Sequence, residues 1–358
     1  MNTLLVSIIV NNYNYAQYLC EAIDSACAQS YDNTEVIVVD DGSTDNSLEL
    51  IAKYDDAIII VSKENGGQAS AFNAGFSASR GDIIIFLDAD DYLLPNAVER
   101  IVAVWPPDGV AKVHALLNGI DAQGQFLGYT YPARGEYLGN GHVVTQLLER
   151  GVYGVAPTSG NAFSRGALEK IFPIDEEQYR ISADGYLAVT IAFYGDILAL
   201  EEPIGAYRVH GSNNWGTSME GRQFRAFIEH DIRKQKLIAE QAENFGYNSP
   251  PDLMRRTNTH LRARIASLKL DPESHPIETD SLPRLIYDGV RSTWLYAELT
   301  WQKRSIVTLW FFMVGLLPTS LAKPVINWLF AQQNRPQSVE RLLSILRPII
   351  NQKRAKRA

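Results

Sequence analysis

The chain offers little sulfur chemistry: two cysteines, Cys20 and Cys27, in 358 residues. They lie seven apart in a segment that reads as helix, and seven helical residues rise roughly 10 Å, too far for a disulfide. A disulfide-stapled design is excluded, and two structural thiols in a reduced, cytosolic compartment are the expectation. There is no GxxxxGK[ST] loop and no GxGxxG after the first strand, so kinase-like and dinucleotide-binding readings lose their main support. The net charge of −8 lacks the basic footprint of a general nucleic-acid binder, and no nucleic-acid partner is expected. Long hydrophobic runs are missing too. The longest, Ile306 to Leu317, is about a dozen residues broken by Thr308 and Gly315, short of the roughly 20 that a bilayer span needs. The opening MNTLLVSIIVNNYN has no basic stretch and no small-residue cleavage site, so no signal peptide is expected.

What is present is an ordinary globular composition, 46% hydrophobic and 21% charged, sufficient to bury a substantial core. Its length suits two domains, or one large domain with an extension. Apolar, β-branched runs at 5–11, 35–41, 57–62 and 82–87 alternate with helical stretches near 15–30, 45–54 and 67–79. That alternation predicts βαβ units, a parallel sheet and helices on both its faces. Further strands are predicted at 112–118, 197–201 and 204–209, with helices near 141–150 and 183–194. In such sheets ligands sit beyond the carboxyl ends of the strands. The polar clusters fall there: Asn11 to Asn14 after the first strand, Asp40 to Ser43 after the second, Asp88 to Asp91 after the fourth.

The last cluster, FLDADDYLLP, holds three carboxylates in four positions at the end of a hydrophobic strand. Carboxylates this close repel one another unless a cation, hydrogen-bond donors or water compensates them. A solvated turn is one reading. The other is a pair of hard oxygen ligands for Mg²⁺ or Mn²⁺, which would bridge a diphosphate and offset charge on a departing nucleoside diphosphate.

The stretches VSIIVNNYNYAQYLCEAIDSACAQSYDNTEVIVVDDGSTDNS and ENGGQASAFNAGFSASRGDIIIFLDADDYLLP, in this order, resemble the family-two inverting glycosyltransferases of the GT-A fold. The likeness covers roughly residues 4–215. It implies an α/β fold with a Rossmann-like, mostly parallel sheet, a nucleotide-sugar donor (foremost a UDP-sugar), Mn²⁺ or Mg²⁺, and a single-displacement transfer. Asn11 and Tyr13 match positions that line the nucleobase pocket, and Asp41 the acid that bonds the base, leaving Asp40 to hold the loop. Asp88 resembles the residue that contacts the ribose or sugar and Asp90 the metal ligand, while Asp91 is read as a cap for the helix starting near Pro95. Gln68 and Asn73 flank the donor. Phe72 stands where many relatives carry Arg, so a cation is missing there.

Farther on, ISADGYLAVTIAFYGD resembles the segment in which an acidic pair opens a helix, with Asp184 as the base that deprotonates the acceptor hydroxyl. Ala183 replaces the usual first acid. Taken without the resemblance, the alternative to a base is a helix-terminal acid stabilised by the dipole. TSGNAFSRGAL resembles the wall beside acceptor and sugar, marking Ser159, Gly160 and Asn161. YRVHGSNNW resembles a closing loop in which His210 approaches the metal or diphosphate and Arg208 supplies a cation.

The resemblance ends near 215. The predicted organisation is a catalytic domain over 1–215, a helical extension over 216–270, a linker or loop over 271–283 and an apolar, basic helical region over 284–358. Residues 331–358 carry Arg335, Arg341, Arg347, Lys353, Arg354, Lys356 and Arg357 against the single acid Glu340. A Trp-bearing apolar helix beside such a tail suits an interfacial membrane helix, hence a cytoplasmic enzyme at the inner face of the membrane with a saccharide or lipid-linked acceptor. Packing on the catalytic domain or in a homo-oligomer is the alternative. The rival functions are a sugar-phosphate nucleotidyltransferase and an inactive nucleotide-sugar-binding scaffold.

Overall fold

A computed structural model describes residues 3–133, 137–211 and 222–330, and the chain divides into two units. The first gathers residues 1–147, 153–210 and 240–247. Among the described residues its sheet has nine strands: β1 (Val6–Asn12), β2 (Thr34–Asp40), β3 (Ile59–Ser62), β4 (Ile83–Asp88), β5 (Tyr92–Leu93), β6 (Val110–Ile120), β7 (Phe126–Tyr131), β8 (Asn161–Ser164) and β9 (Asp196–Arg208). They run in the order β3-β2-β1-β4-β8-β6-β9-β5, with β7 on β6. β1, β2, β3 and β4 are mutually parallel, whereas β8 enters antiparallel to both β4 and β6.

The N-terminal strands are apolar on both faces because helices cover both. Val6, Ile8 and Val10 of β1 point to a core shared with Leu19 and Ile23 of the helix Ala16–Cys27. On the opposite face Ile9 meets the helix Gln68–Ala78 so closely that a Cβ at Gly75 would lie 2.3 Å from Ile9 Cγ2. Alternating sides along a strand account for the division. Both cysteines are free.

Register then sets the site. Parallel pairing of β1 with β4 sets Asn11 beside Asp88, and pairing with β2 sets Asn12 beside Asp40, so the polar ends reach one rim. The α/β class and the parallel N-terminal sheet agree with the sequence reading. The two strands expected at 197–201 and 204–209 are one, β9, whose register on β6 slips from Ala115↔Leu200 to Leu116↔Pro203. The irregularity absorbs Glu201 and Glu202, which with Pro203 look like a turn in sequence.

The second unit comprises residues 148–152, 211–239 and 248–358. Its helices include Asn258–Leu270, Leu282–Leu295, Trp301–Leu316 and Thr319–Phe330, and Leu261, Ile265, Leu285, Phe311, Val314 and Ile326 form its core. The expected linker is tied down: Asp280 accepts from Arg264 Nε at 2.8 Å, and its Oδ2 lies 3.0 Å from His275 Nε2. No described helix is long and apolar enough to cross a membrane. The basic tail over 331–358 and residues 212–215 of the expected closing loop lie outside the described residues.

Candidate active site

Beyond β1 and β2 the chain builds a bonded loop pair. Asn12 Nδ2 donates to Asp40 Oδ1 at 2.8 Å and to Ser43 Oγ at 3.1 Å, while Asp40 Oδ2 accepts from Ser43 N at 3.0 Å. Asp40 is fully buried, in the loop-holding role anticipated for it. Asn14 adopts a left-handed φ of 60°, which Asn tolerates, and its Oδ1 accepts from Thr44 N at 2.7 Å. Tyr13, between them, is left 46% exposed over the rim.

Asp41 is nearly buried, and both its oxygens are engaged. Oδ1 accepts from Lys63 Nζ at 2.8 Å and Gly66 N at 2.9 Å, and Oδ2 accepts from Gly67 N at 2.7 Å. A carboxylate has roughly four acceptor sites, so three are taken here. Gly67 is required where it stands: φ is 86°, and a Cβ would meet Arg180 O at 2.4 Å. Asn11 shows a weak contact from Nδ2 to Ile9 O at 3.5 Å, and its buried Oδ1 has no hydrogen-bond partner among the described residues.

The acidic turn is held from three sides. Asp88 N donates to Ser159 Oγ at 3.1 Å, and Ser159 Oγ in turn donates to Asp91 Oδ2 at 2.6 Å. Asp91 Oδ1 accepts from Arg208 N at 2.9 Å, which fastens the end of β9 to the turn. Asp91 therefore does not cap the helix Ala97–Val104, whose N-cap residue is Asn96. Asp90 Oδ2 lies 2.9 Å from His210 Nε2. The His210 ring rests against Tyr15 and Tyr18, centroids 5.7 and 5.4 Å away.

Arg208 departs from its expected place. It is 2% exposed, and its Nε donates to the carbonyl of Asp90 at 2.8 Å. Its terminal nitrogen pairs with Glu21, and the guanidinium stacks 4.5 Å over the Tyr18 ring. In this arrangement it braces the acidic turn instead of presenting a charge at the rim.

The electrostatics of the turn are those of crowded acids. Burial, then Asp90 and Asp184, push the Asp88 carboxyl well above the usual range, against a hydrogen bond from Thr158. Burial, Asp90 and Asp88 do the same to Asp91, against Ser159 and the Arg208 amide. The hydroxyls of Tyr15 and Tyr207 are also driven up by burial and by these acids. Asp184 lies 96 positions from Asp88 in the chain, yet its charge reaches the Asp88 carboxyl.

Asp184 opens the helix Ala183–Thr190. Gln68 fixes that opening, its Oε1 accepting from Ala183 N at 2.8 Å, and its own N–H donates to Arg180 O at 2.8 Å. Asn73 is turned to the segment before it, with Nδ2 donating to Ile174 O and Oδ1 accepting from Ile174 N, both at 2.8 Å. Asp184 borders a cavity together with Phe72, Thr158, Asn161, Phe163 and Lys112. Asn161 Nδ2 reaches Ala156 O at 3.2 Å, Pro157 O at 2.6 Å and Thr158 O at 3.1 Å, shaping one wall. A Cβ at Gly160 would lie 2.9 Å from Ala115 O.

The residues suit a divalent cation. Asp90 and His210 supply an oxygen and a nitrogen side by side, among acids whose mutual repulsion a cation would relieve. Among the described residues no group of three or more His, Cys, Asp or Glu forms a complete cage. A metal that shares its coordination with substrate phosphates would need only one or two protein carboxylates. Ser159, Asp91 and Lys112 complete the site's framework. Ser159 and Asp91 stood out in sequence in other roles, and the lysine left its own signal as a charge inside the otherwise apolar strand VAKVHALL.

Comparison with known proteins follows the same residues. Residues 7–172 match the profile described as Glycosyl transferase family 2. An uncharacterized glycosyltransferase of Nostoc sp. (strain PCC 7120) is 38% identical over 259 residues, 70% of this chain and 79% of that protein. The chondroitin synthase of Pasteurella multocida (strain Pm70) is 41% identical over 134 residues, 36% of this chain and 14% of that protein. Among solved structures, S. aureus TarS 1–349 in complex with UDP-GlcNAc superposes with a TM-score of 0.53 at 14% identity, over 90% of this chain and 91% of that one. At that identity the structural likeness concerns the fold.

Proposed function

We infer the reaction from one premise: this chain belongs to glycosyl transferase family 2. It is a glycosyltransferase, and the nucleotidyltransferase alternative loses its ground. The finer reading is inverting transfer of a sugar from a nucleotide sugar, foremost a UDP-sugar, to a hydroxyl acceptor in polysaccharide or glycolipid synthesis. The observation that carries it is the meeting of Asp88, Asp90 and His210 with Asp184 at one end of the sheet. In this reading Asp184 takes the proton from the acceptor hydroxyl. Asp88 faces the sugar or ribose, and Tyr13, Asn11 and the remaining acceptor site of Asp41 face the base. Asp90 and His210 would hold Mn²⁺ or Mg²⁺, which when bound offsets charge on the departing diphosphate. Ser159 and Gln68 position the acids, Asn73 steadies the segment leading to Asp184, and Gly160 and Asn161 shape the wall beside the acceptor. Arg208 acts on the donor through the turn that it braces.

The test is a panel of UDP-, GDP- and dTDP-sugars, read by thermal stabilisation and slow hydrolysis with and without Mn²⁺. One nucleotide class is expected to stabilise the protein, the more so with metal, and Asp90→Ala to remove the metal increment. No response to any donor in either condition would overturn the reading.

A membrane-surface position is part of the proposal. Leu309, Phe312 and Leu316 are exposed on one stripe of the helix Trp301–Leu316, spaced three and four apart, with Ile306 and Trp301 toward its start. The lysine- and arginine-rich tail follows in sequence, matching an anionic lipid surface. Roughly 1.5–3 kcal/mol per buried aliphatic side chain, with about 1 kcal/mol per basic residue, suffices for reversible attachment. The wild-type chain is expected to co-sediment with vesicles containing phosphatidylserine and not with phosphatidylcholine alone. Leu309→Glu with Leu316→Glu should weaken this at least tenfold. A concentration-dependent mass without lipid affinity would assign the stripe to a second copy instead.

A further inference from the structure

Lys112 has no role in the reaction described above, and its surroundings are unusual for a lysine. It lies on β6, 1% exposed, in the cavity that Asp184 also borders. An ammonium has three protons to donate, and among the described residues one acceptor is supplied, Tyr153 OH at 3.2 Å. Tyr153 donates its own proton to Ala188 O at 2.8 Å, so the phenol is committed in both directions. The remaining company is aromatic: the Tyr153 ring centroid at 5.2 Å and that of Phe163 at 6.0 Å. His114, two residues along the same strand, contributes no counter-charge. Its Nε2 faces Gly139 O at 2.8 Å, and burial, then the charge of Lys112, hold its ring neutral.

A buried cation is costly unless it is paired and hydrogen-bonded. Removing water from Lys112 lowers its pKa to about 7, so near neutral pH the amine is poised between its two forms. Two undirected protons at a cavity wall match one monovalent carboxylate. A phosphate dianion would need more donors than this wall offers, since the Asn161 amide is already bonded to three carbonyls.

We propose that Lys112 is an anion subsite of the cavity beside Asp184, and that the sugar seated there carries a carboxylate. The proposal rests on the transferase reading, which places a sugar at Asp184. The carboxylate belongs either to the donor sugar or to the acceptor's terminal sugar, and experiment separates the two.

Two matched pairs differ only at C6: UDP-glucuronate against UDP-glucose, and methyl glucuronide against methyl glucoside. Affinities are measured by calorimetry or competition for the wild type and Lys112→Met, with UDP alone as reference. In one pair the carboxylate is expected to bind at least tenfold more tightly to the wild type and no better than its neutral partner to Lys112→Met. Which pair responds tells donor from acceptor. Methionine has a similar length and removes a buried charge, so the variant should fold with an equal or higher melting temperature. A second readout needs no variant. Because the free lysine loses its proton above about pH 7, the wild-type preference should shrink as pH rises from 6 to 8.5. Equal binding within both pairs, or a preference that persists in Lys112→Met, overturns the subsite. If UDP itself fails to bind, the donor reading falls, while the methyl glycoside pair still decides the fate of Lys112.

Discussion

Asp184→Asn should reduce turnover by about 10²–10⁴-fold, the usual worth of a positioned general base, while leaving donor-dependent thermal stabilisation intact. The substitution keeps the side chain's size and its place in the first helical turn, so what it removes is the capacity to accept a proton. The competing role, an acid stabilised by the N-terminal dipole of Ala183–Thr190, makes a different forecast. A dipole contact is worth roughly 0.3–1 kcal/mol, so its loss would shift the melting temperature slightly and leave kcat alone. The surroundings favour the base. Gln68 already satisfies the amide of Ala183, so the helix start has a bonded partner apart from Asp184. Asp184 is close enough to Asp88 for its charge to help raise the Asp88 carboxyl, an arrangement that a purely structural acid would not need. Measuring kcat and KM separately decides it. Lost kcat with unchanged KM identifies the base, and unchanged kcat gives the site to the scaffold reading.

The sequence made the donor side of this site visible and concealed the framework behind it, for a physical reason. β1, β2 and β4 are buried on both faces, so each appears as an unbroken β-branched run ending in a polar cluster, and parallel register then aligns the clusters. β8 is four residues long and opens on Asn161, so its polar start read as an acceptor contact and the strand went unseen. β5, with two residues, is below the length at which alternation can be detected. The Ser159–Asp91 hydrogen bond joins residues 68 apart in sequence, and the pairing depends on β8 entering antiparallel beside β4. No local spacing encodes such a contact. Arg208 was visible as a cation near the diphosphate position, but whether a side chain points out to a ligand or back into the fold depends on what lies behind it. Here Glu21 and Tyr18 lie behind it, on the helix Ala16–Cys27.

That difference has a measurable consequence. Arg208→Met should destabilise the chain by about 2–4 kcal/mol, since charge-assisted hydrogen bonds contribute roughly 1.5–3 kcal/mol each and the buried guanidinium makes one to the carbonyl of Asp90. The pair with Glu21 adds less than its short contact suggests, because the glutamate side chain is half exposed and water screens it. In a domain of this size about 2–4 °C accompanies each kcal/mol, so a fall of roughly 10 °C in the melting temperature is expected. Arg208→Lys sharpens the test. A point charge serving a diphosphate would be largely restored by lysine, with the donor KM near wild type. A brace would not be, because lysine cannot reach the Asp90 carbonyl, Glu21 and the Tyr18 face with one planar fork. The brace also couples stability to metal response: Arg208 Nε holds the carbonyl of Asp90 while its backbone N–H holds Asp91, so loosening the side chain disturbs the acid beside His210. Both variants should therefore lose melting temperature and metal-dependent donor stabilisation together. A variant that kept its melting temperature and lost only donor affinity would return Arg208 to the diphosphate.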